Sequence, residues 1–269
     1  MNIILMSVLA GVVGMGLGGV LTALFGNKND KIISIFLSFS GGVMISISFV
    51  ELIPEVLELA EDLELSGVMS VLLLVAGLFA GAVLVWALHY LMDNISRSGG
   101  KSKMHDTFAQ FFHSDDVISK KSKMLRSGLI MLFAIGLHNV PEGLAMGAAG
   151  NYDARLGLTL AIIIGLHNIP EGMAVSAPLM LGGLSKTKAI VITLIAGSTT
   201  VLGAVIGVIL GSISEIAVAL SFGAAAGAML YVVLGEIIPQ SIVMSKDRIP
   251  TIFAFLGLVI GTAFTVLLH

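Results

Sequence analysis

Eight stretches of largely apolar residues dominate the sequence, and each is as long as the helix of about 20 residues that crosses a membrane. They cover approximately residues 2–25, 31–54, 67–92, 126–149, 155–181, 187–211, 215–243 and 249–268. Charged residues make up 12% of the chain, about half the usual share in a globular domain. The sequence therefore predicts an all-α polytopic membrane protein with residues 1–269 in one transmembrane domain. It excludes a soluble enzyme and a basic nucleic-acid-binding surface.

The lysines and arginines predict how this domain lies in the membrane. Eight spans place the odd-numbered loops on one side and the even-numbered loops, with both termini, on the other. Apart from Arg155, every basic residue lies in an odd-numbered loop: Lys28, Lys31, Arg97, Lys101, Lys103, Lys120, Lys121, Lys123, Arg126, Lys186, Lys188, Lys246 and Arg248. Loops rich in these residues stay in the cytoplasm, so both termini are expected outside and residues 93–125 form a cytoplasmic loop. We expect the plasma membrane, which is the inner membrane in a bacterial cell. The first stretch lacks a basic start and is long for a signal peptide, so a retained helix is expected.

Ionisable side chains within or at the rims of the spans are candidate functional residues, because a charge at the bilayer centre is costly unless it is paired. The candidates are four glutamates and the two histidines that lie close to the middle of their helices: Glu51, Glu142, Glu171, Glu236, His138 and His167. The chain has no cysteine. Any metal must therefore be held by His, Asp, Glu, Asn or Met side chains.

One hexapeptide occurs twice with a single Val/Ile exchange. Residues 138–143 read His-Asn-Val-Pro-Glu-Gly, and residues 167–172 read His-Asn-Ile-Pro-Glu-Gly. In each copy His precedes Glu by four residues, which places both on one helix face, and the proline between them weakens the helix. Since the two spans run in opposite directions, the copies are expected to meet as an approximate two-fold pair. Their nitrogen and oxygen donors suit zinc, iron(II), manganese, cobalt or cadmium. The alternative is a pair of proline hinges whose polar residues bond to each other.

A second repeat relates the second and seventh spans. When Glu51 is aligned with Glu236, Gly42 aligns with Gly227, and a methionine follows each glycine by two residues. Because these spans run in opposite directions, the alignment predicts an inverted repeat, a design found in transporters. Glu51 then lies at the outer rim and Glu236 at the inner rim. They are interpreted either as stations on an ion path or as helix-end acids that reach toward water.

The paired motifs, the eight spans, the external termini and the long third loop resemble the ZIP (Zrt-, Irt-like) family of divalent metal transporters, particularly its bacterial GufA-type branch. The resemblance implies a 3+2+3 arrangement in which helices 1–3 and 6–8 form the inverted repeat. It also implies a path among helices 2, 4, 5 and 7, movement of zinc or another divalent metal into the cytoplasm by alternating access, and a homodimer in the lipid bilayer. It implies no prosthetic group and no enzymatic activity.

The resemblance also assigns roles to individual residues. It implies four primary metal ligands: His138, Glu142, His167 and Glu171. Asn139 and Asn168 would serve a second, adjacent metal position, and Met44 would be either a nearby thioether or ordinary helix packing.

The chain departs from the family pattern in the sixth span. Many relatives have a Gly-Leu-x-Glu-Pro stretch whose glutamate joins the second metal position, whereas Thr200 stands there in this chain. Asn168 is neutral where some relatives have Asp. Fewer anionic ligands imply weaker binding, so we expect one strong site and a weak or absent second site.

Two loops carry weaker signals. The loop expected at residues 55–67 is acidic and has no basic residue, so it is either a place where cations concentrate or a solvated helix end. The loop at residues 93–125 contains His105 and His113, which suggest either metal binding or a flexible solvated linker.

Two other functions remain to be distinguished from metal transport. An intramembrane zinc metalloprotease usually carries His-Glu-x-x-His, which the sequence lacks. A carrier of organic solutes would have cationic or aromatic groups along its path, and no Arg or Lys lies in mid-span. Both patterns favour the transporter.

Overall fold

The computed structural model describes residues 2–25, 30–97, 117–211, 214–245 and 247–268, and these ranges fold into long helices without a strand. The helices, named here in chain order, are α1 (Ile3–Phe25), α2 (Lys31–Asp62), α3 (Gly67–Arg97), α4 (Val117–Tyr152), α5 (Ala154–Leu181), α6 (Lys186–Gly211), α7 (Glu215–Ser245) and α8 (Ile249–Leu268). The all-α class is as predicted.

Seven of these helices are long and apolar enough to span a membrane, judged by length and composition over the described ranges. They are all the helices except α4, which contains the expected span 126–149. The multi-pass architecture agrees with the prediction. The eighth span and the sides on which the termini lie stay predictions.

The loop expected at residues 55–67 is mostly helical, so that prediction was wrong. Helix α2 continues to Asp62 because Val56, Leu59 and Ala60 recur at helical spacing and are buried against the rest of the protein. The chain then leaves the helix through Glu64, whose φ is 53°. The acidic side chains therefore belong largely to a helix end.

The long loop expected at residues 93–125 is also shorter than predicted at both sides. Helix α3 extends to Arg97, and α4 begins at Val117. Residues 98–116 lie outside the described ranges, and both loop histidines, His105 and His113, fall there.

Three π-helical segments, none of them predicted, widen the turns within otherwise α-helical elements. They are Val8–Val13 in α1, Ser48–Leu52 in α2 and Val233–Ile237 in α7. The second and third end just before Pro54 and Pro239. A proline lacks an N–H group and its ring collides with the carbonyl group four residues earlier, so a wider turn relieves the collision.

Glycines let the helices of the core pack with their backbones in contact. A Cβ atom on Gly143 of α4 would overlap Thr200 O of α6. In the reverse direction, a Cβ on Gly203 would overlap Val140 O, and one on Gly207 would overlap Leu144 O. A Cβ on Gly147 would likewise overlap Ala204 O, four residues beyond Gly143 and Thr200, just as Gly207 and Leu144 lie four residues beyond Gly203 and Val140. Because both numbers rise together within each series, α4 and α6 run in the same direction.

The same kind of contact joins three further helix pairs. In each pair, a Cβ atom on a glycine of either helix would overlap a backbone carbonyl oxygen of the other helix. The glycines and the residues that carry these oxygens are Gly18 with Ile169 and Gly172 with Met15 between α1 and α5, Gly42 with Ala254 and Gly257 with Phe39 between α2 and α8, and Gly81 with Ala224 and Gly227 with Leu78 between α3 and α7. When Gly42 is aligned with Gly227, Phe39 aligns with Ala224. The contacts between α2 and α8 therefore occupy the same positions of the repeat as the contacts between α7 and α3.

The helices differ in how far the protein covers them. In α5 and in α7, 67% of the most apolar 18-residue segment is buried inside the protein, against 17% in α3 and 22% in α8. Helices α3 and α8 therefore lie at the periphery, where large apolar side chains such as Phe79 and Phe255 are exposed. The repeated hexapeptides lie on α4 and α5, inside the bundle.

Candidate metal centre

The two copies of the hexapeptide meet in the interior. Glu142 from α4 and His167 and Glu171 from α5 each offer one ligand atom, and these atoms all lie within 4.8 Å of one another. Each of the three residues is about 1% exposed. Within the described ranges this is the one group of three or more such side chains with metal-binding spacing.

His167 is held by the backbone of its own helix. Its Nδ1 lies 3.2 Å from Ile163 O, one turn earlier. A carbonyl oxygen can only accept a hydrogen bond, so Nδ1 carries a proton and donates it. The other nitrogen, Nε2, then faces the two carboxylates, 3.2 Å from Glu142 Oε1 and 3.9 Å from Glu171 Oε1. A second contact of this kind is what orients a histidine that binds metal.

The short distance between Nε2 of His167 and Oε1 of Glu142 requires a proton or a metal cation between the two atoms. In the neutral ring Nε2 carries a lone pair, and two acceptors at 3.2 Å repel each other unless a proton or a metal cation lies between them. Two ligands bound tetrahedrally to one zinc ion lie about 3.3 Å apart. Nε2 of His167 and Oε1 of Glu142 already have that spacing. The distance from Nε2 to Oε1 of Glu171, 3.9 Å, exceeds it by about 0.6 Å.

The two asparagines of the motif are buried beside this group. Asn168 Nδ2 donates to Ala10 O of α1 at 3.1 Å. Its Oδ1 has no hydrogen-bond partner among the described residues. Asn139 is fully buried, and in the same ranges neither of its amide atoms has a partner. Amide oxygens of this kind are available as additional oxygen ligands.

The remaining predicted site residues are placed as follows. His138 precedes Glu142 by one turn of α4, and its side chain lies outside the description. Met44 is fully buried in the hydrophobic core. Thr200 is fully buried, its carbonyl oxygen packs against Gly143, and its hydroxyl has no partner in the described part of the chain. The roles of these residues as ligands stay predictions.

Glu51 and Glu236 are not at helix ends. They are 3% and 8% exposed and lie within the π-helical segments of α2 and α7, which continue to Asp62 and Ser245. This contradicts their interpretation as helix-end acids that reach toward water. Their role on an ion path stays a prediction.

Two backbone groups at the site were missed from the sequence. Ile163 lies four residues before His167, so helical spacing alone would have found its carbonyl as a partner. The carbonyl of Ala10 lies far away in the chain. Its availability depends on the π-helical segment of α1, which no pattern in the sequence predicts.

The fold and this buried group define a multi-pass membrane protein whose interior offers carboxylate and imidazole ligands to a divalent metal ion. Comparison with known proteins identifies the class more closely. The pattern of the ZIP Zinc transporter family matches residues 1–269, and the chain belongs to that family.

Proteins named zinc transporter ZupT are similar to this chain over most of their length. The protein from Chlorobaculum parvum is 33% identical over 238 residues, which cover 88% of this chain and 86% of that protein. The one from Chlorobium chlorochromatii is 36% identical over 231 residues, covering 84% and 82%. The one from Streptococcus mutans is 33% identical over 261 residues, covering 95% and 93%.

Proposed function

We propose that this protein carries zinc across its membrane through the buried site formed by Glu142, His167 and Glu171. The observation that carries the proposal is the pairing of His167 Nε2 with Glu142 Oε1 at the spacing of two zinc ligands, in a group that water does not reach. Family membership and the ZupT relatives support zinc as the cargo.

The charges of the site suit a divalent ion in transit. Two buried carboxylates balance the two charges of zinc, so the ion enters the low-dielectric interior as a neutral assembly. When the cargo leaves, a proton on Nε2 of His167 restores an attractive contact with Glu142. Cargo and proton therefore compete for one position, and zinc binding releases a proton.

Further ligands complete the proposed site. His138 lies on the same face of α4 as Glu142, and Met44 supplies a thioether from α2. Asn139 and Asn168 serve a second, weaker position, because both are neutral and Thr200 replaces a carboxylate there. Manganese, iron(II), cobalt and cadmium share these ligand types, so zinc competes with them by coordination geometry and supply.

The proposed topology has eight spans, with both termini outside and the segment around residues 98–116 in the cytoplasm. Parallel packing of α4 with α6 supports it, since two helices separated by one full crossing run in the same direction. The paired contacts of α2–α8 and α3–α7 support an inverted repeat of helices 1–3 and 6–8. We place the protein in the plasma membrane as a homodimer that moves metal inward by alternating access.

Glu51 and Glu236 are proposed as stations on the path, one on each side of the central site. Each is a buried carboxylate within a π-helical segment, a feature often found at functional sites. Their equivalent positions in α2 and α7 support equivalent roles on opposite sides.

Zinc flux into sealed vesicles tests the proposal directly. Purified protein is reconstituted with a zinc-sensitive dye inside, and uptake is compared with that of the double variant His167→Ala, Glu171→Ala. We expect the double variant to lose flux. The matched control is Glu215→Gln, which removes an exposed carboxylate from the start of α7 and leaves flux intact. Equal flux in the double variant would refute the site.

The protease alternative is tested in the same preparation. The family is a transporter family, and the His-Glu-x-x-His pattern is absent from the sequence. We expect zinc flux without cleavage of added peptide or membrane-protein substrates.

A further inference from the structure

The two motif asparagines differ in their surroundings although the motifs are nearly identical. The amide of Asn168 is anchored by its hydrogen bond to Ala10 O, which leaves Oδ1 as a fixed acceptor. Within the described ranges, Asn139 has no partner at either amide atom although it is fully buried. Buried polar groups normally have partners, so this difference needs a physical cause.

The equivalent positions of α1 and α6 follow from their contacts with the motifs. Met15 O lies against Gly172, the last residue of one motif, and Thr200 O lies against Gly143, the last residue of the other. Met15 of α1 and Thr200 of α6 are therefore equivalent.

A second pair is set where α1 and α6 cross. A Cβ atom on Gly11 would overlap Gly197 O, and one on Gly197 would overlap Gly11 O. These two glycines are therefore also equivalent. Each follows an alanine, so Ala10 O and Ala196 O are the equivalent acceptors for Asn168 and Asn139.

From Gly11 to Met15, α1 contains one residue more than α6 does from Gly197 to Thr200. The π-helical segment Val8–Val13 accommodates it. As a result, the N–H of Gly14 donates to Leu9 O and Gly11 O and bypasses Ala10 O, its partner in an α-helix. Ala10 O is thereby available to the amide of Asn168.

In α6 the equivalent acceptor is already occupied. This helix is α-helical throughout Lys186–Gly211, so Ala196 O accepts the N–H of Thr200 and has one lone pair left. Thr199 Oγ1 donates to Ala196 O at 2.6 Å, the shorter of the two equivalent bonds. The hydroxyl of Thr199 thus takes the second lone pair of this oxygen, the one that would otherwise be open to Asn139.

We propose that Thr199 is a positioning residue of the transport site, which keeps the amide of Asn139 unanchored by occupying Ala196 O. This inference rests on the proposed function. The site then has one rigid amide oxygen, on Asn168, and one amide that turns toward the cargo and away again. A ligand that loses rotational freedom on each binding event binds less tightly than an anchored one, which favours release of the ion.

Thr199→Val tests the proposal, because valine keeps the shape of threonine and lacks the hydroxyl. The lone pair of Ala196 O that the hydroxyl used is then open to Asn139 Nδ2, and Oδ1 of Asn139 becomes fixed. We expect the KM for zinc to fall about three- to tenfold, and the maximal rate to fall with it because release is slower. Equilibrium zinc titration of the purified protein should show tighter binding by the same factor.

Three variants separate positioning from a change in packing. Thr199→Ser restores the hydroxyl and should restore the original KM. Ser198→Ala removes the neighbouring hydroxyl, which donates to Ile195 O at 2.6 Å on the exposed side, and should change nothing. In an Asn139→Ala background, Thr199→Val should no longer shift zinc affinity.

Two results would overturn the inference: unchanged zinc affinity in folded Thr199→Val protein, or an equal shift in the Asn139→Ala background. The proposed function fails by a different result, which is the absence of zinc flux in vesicles with the unaltered protein. The titration measures binding without transport, so the two failures are distinguishable.

Discussion

Helices α2 and α7 correspond closely, whereas α1 and α6 differ at the point where they pass the metal site. The first two share a π-helical segment at equivalent positions, each with one buried glutamate and a proline after it. Of the other two, α1 contains such a segment and α6 is α-helical over its described length. One additional residue in a helix thus changes which carbonyl oxygen is available. Two nearly identical motifs become chemically unequal through the helices beside them.

The largest expected effect comes from removing either motif carboxylate. Glu142→Gln and Glu171→Gln should each reduce zinc flux more than about 100-fold. Removing a group that merely orients a metal ligand already lowers metal affinity or activity about 10–100-fold. The measurement is dye-detected uptake in vesicles, with Glu215→Gln as the control. If one variant kept normal flux, the two motifs would not share a single ion.

A smaller effect is expected at the matched pair Glu51 and Glu236. Glu51→Gln and Glu236→Gln should each slow flux about tenfold, the size of effect that a charge-lined approach has on local ion concentration. Zinc affinity of the central site, measured by titration, should stay the same in both. A change of affinity in one variant would place that glutamate in the central site and break the equivalence of α2 and α7.

Much of this fold follows from hydropathy alone. Apolar stretches of sufficient length predict membrane helices because the bilayer leaves the backbone no other partner. The helix ends were predicted less well. The extension of α2 to Asp62 depends on tertiary burial of Val56 and Leu59, and hydropathy averages do not contain that contact.

The candidate site was partly readable from spacing. His and Glu four residues apart had to share a helix face, and the antiparallel copies had to meet, as Glu142 and His167 do. The anchoring of Asn168 by Ala10 was not readable. It depends on a π-helical segment and on a contact between residues distant in the chain, and neither leaves a local pattern in the sequence.

Close helix packing gives a further test of the correspondence between α2 and α7. Gly42→Ala and Gly227→Ala each introduce a methyl group onto a backbone carbonyl, of Ala254 and Leu78 respectively. Each should destabilise the protein by about 1–3 kcal/mol, the usual cost of overpacking.

Gly235→Ala is the matched control for these variants, because nothing lies within 4 Å of the added atom. Thermal unfolding of the purified protein in detergent measures all three. A drop in melting temperature for Gly42→Ala without one for Gly227→Ala would show that the two packing contacts are not equivalent.

The smallest expected effect distinguishes the ends of α2 and α7. Asp247, between α7 and α8, accepts hydrogen bonds from the Ser245 hydroxyl at 2.6 Å and the Ile249 N–H at 2.9 Å, and it pairs with Lys31 Nζ at 3.0 Å. The Ser245 hydrogen bond is the main cause that lowers the pKa of Asp247, followed by the Ile249 N–H and then Lys31. A lowered pKa means that folding favours the charged carboxylate.

The stability that Asp247 contributes is therefore complete above the pKa of the unfolded chain and is lost as pH falls through the lower pKa of the folded protein. The effect is small because water screens this exposed side chain. Asp247→Asn should lower the melting temperature slightly near neutral pH and flatten its decline in acid. Asp62→Asn, at the corresponding position of α2, is the matched charge control. If both variants flattened the fall in melting temperature at acid pH equally, the loss of a surface carboxylate would be the cause. The hydrogen bonds at Asp247 would then not distinguish the two helix ends.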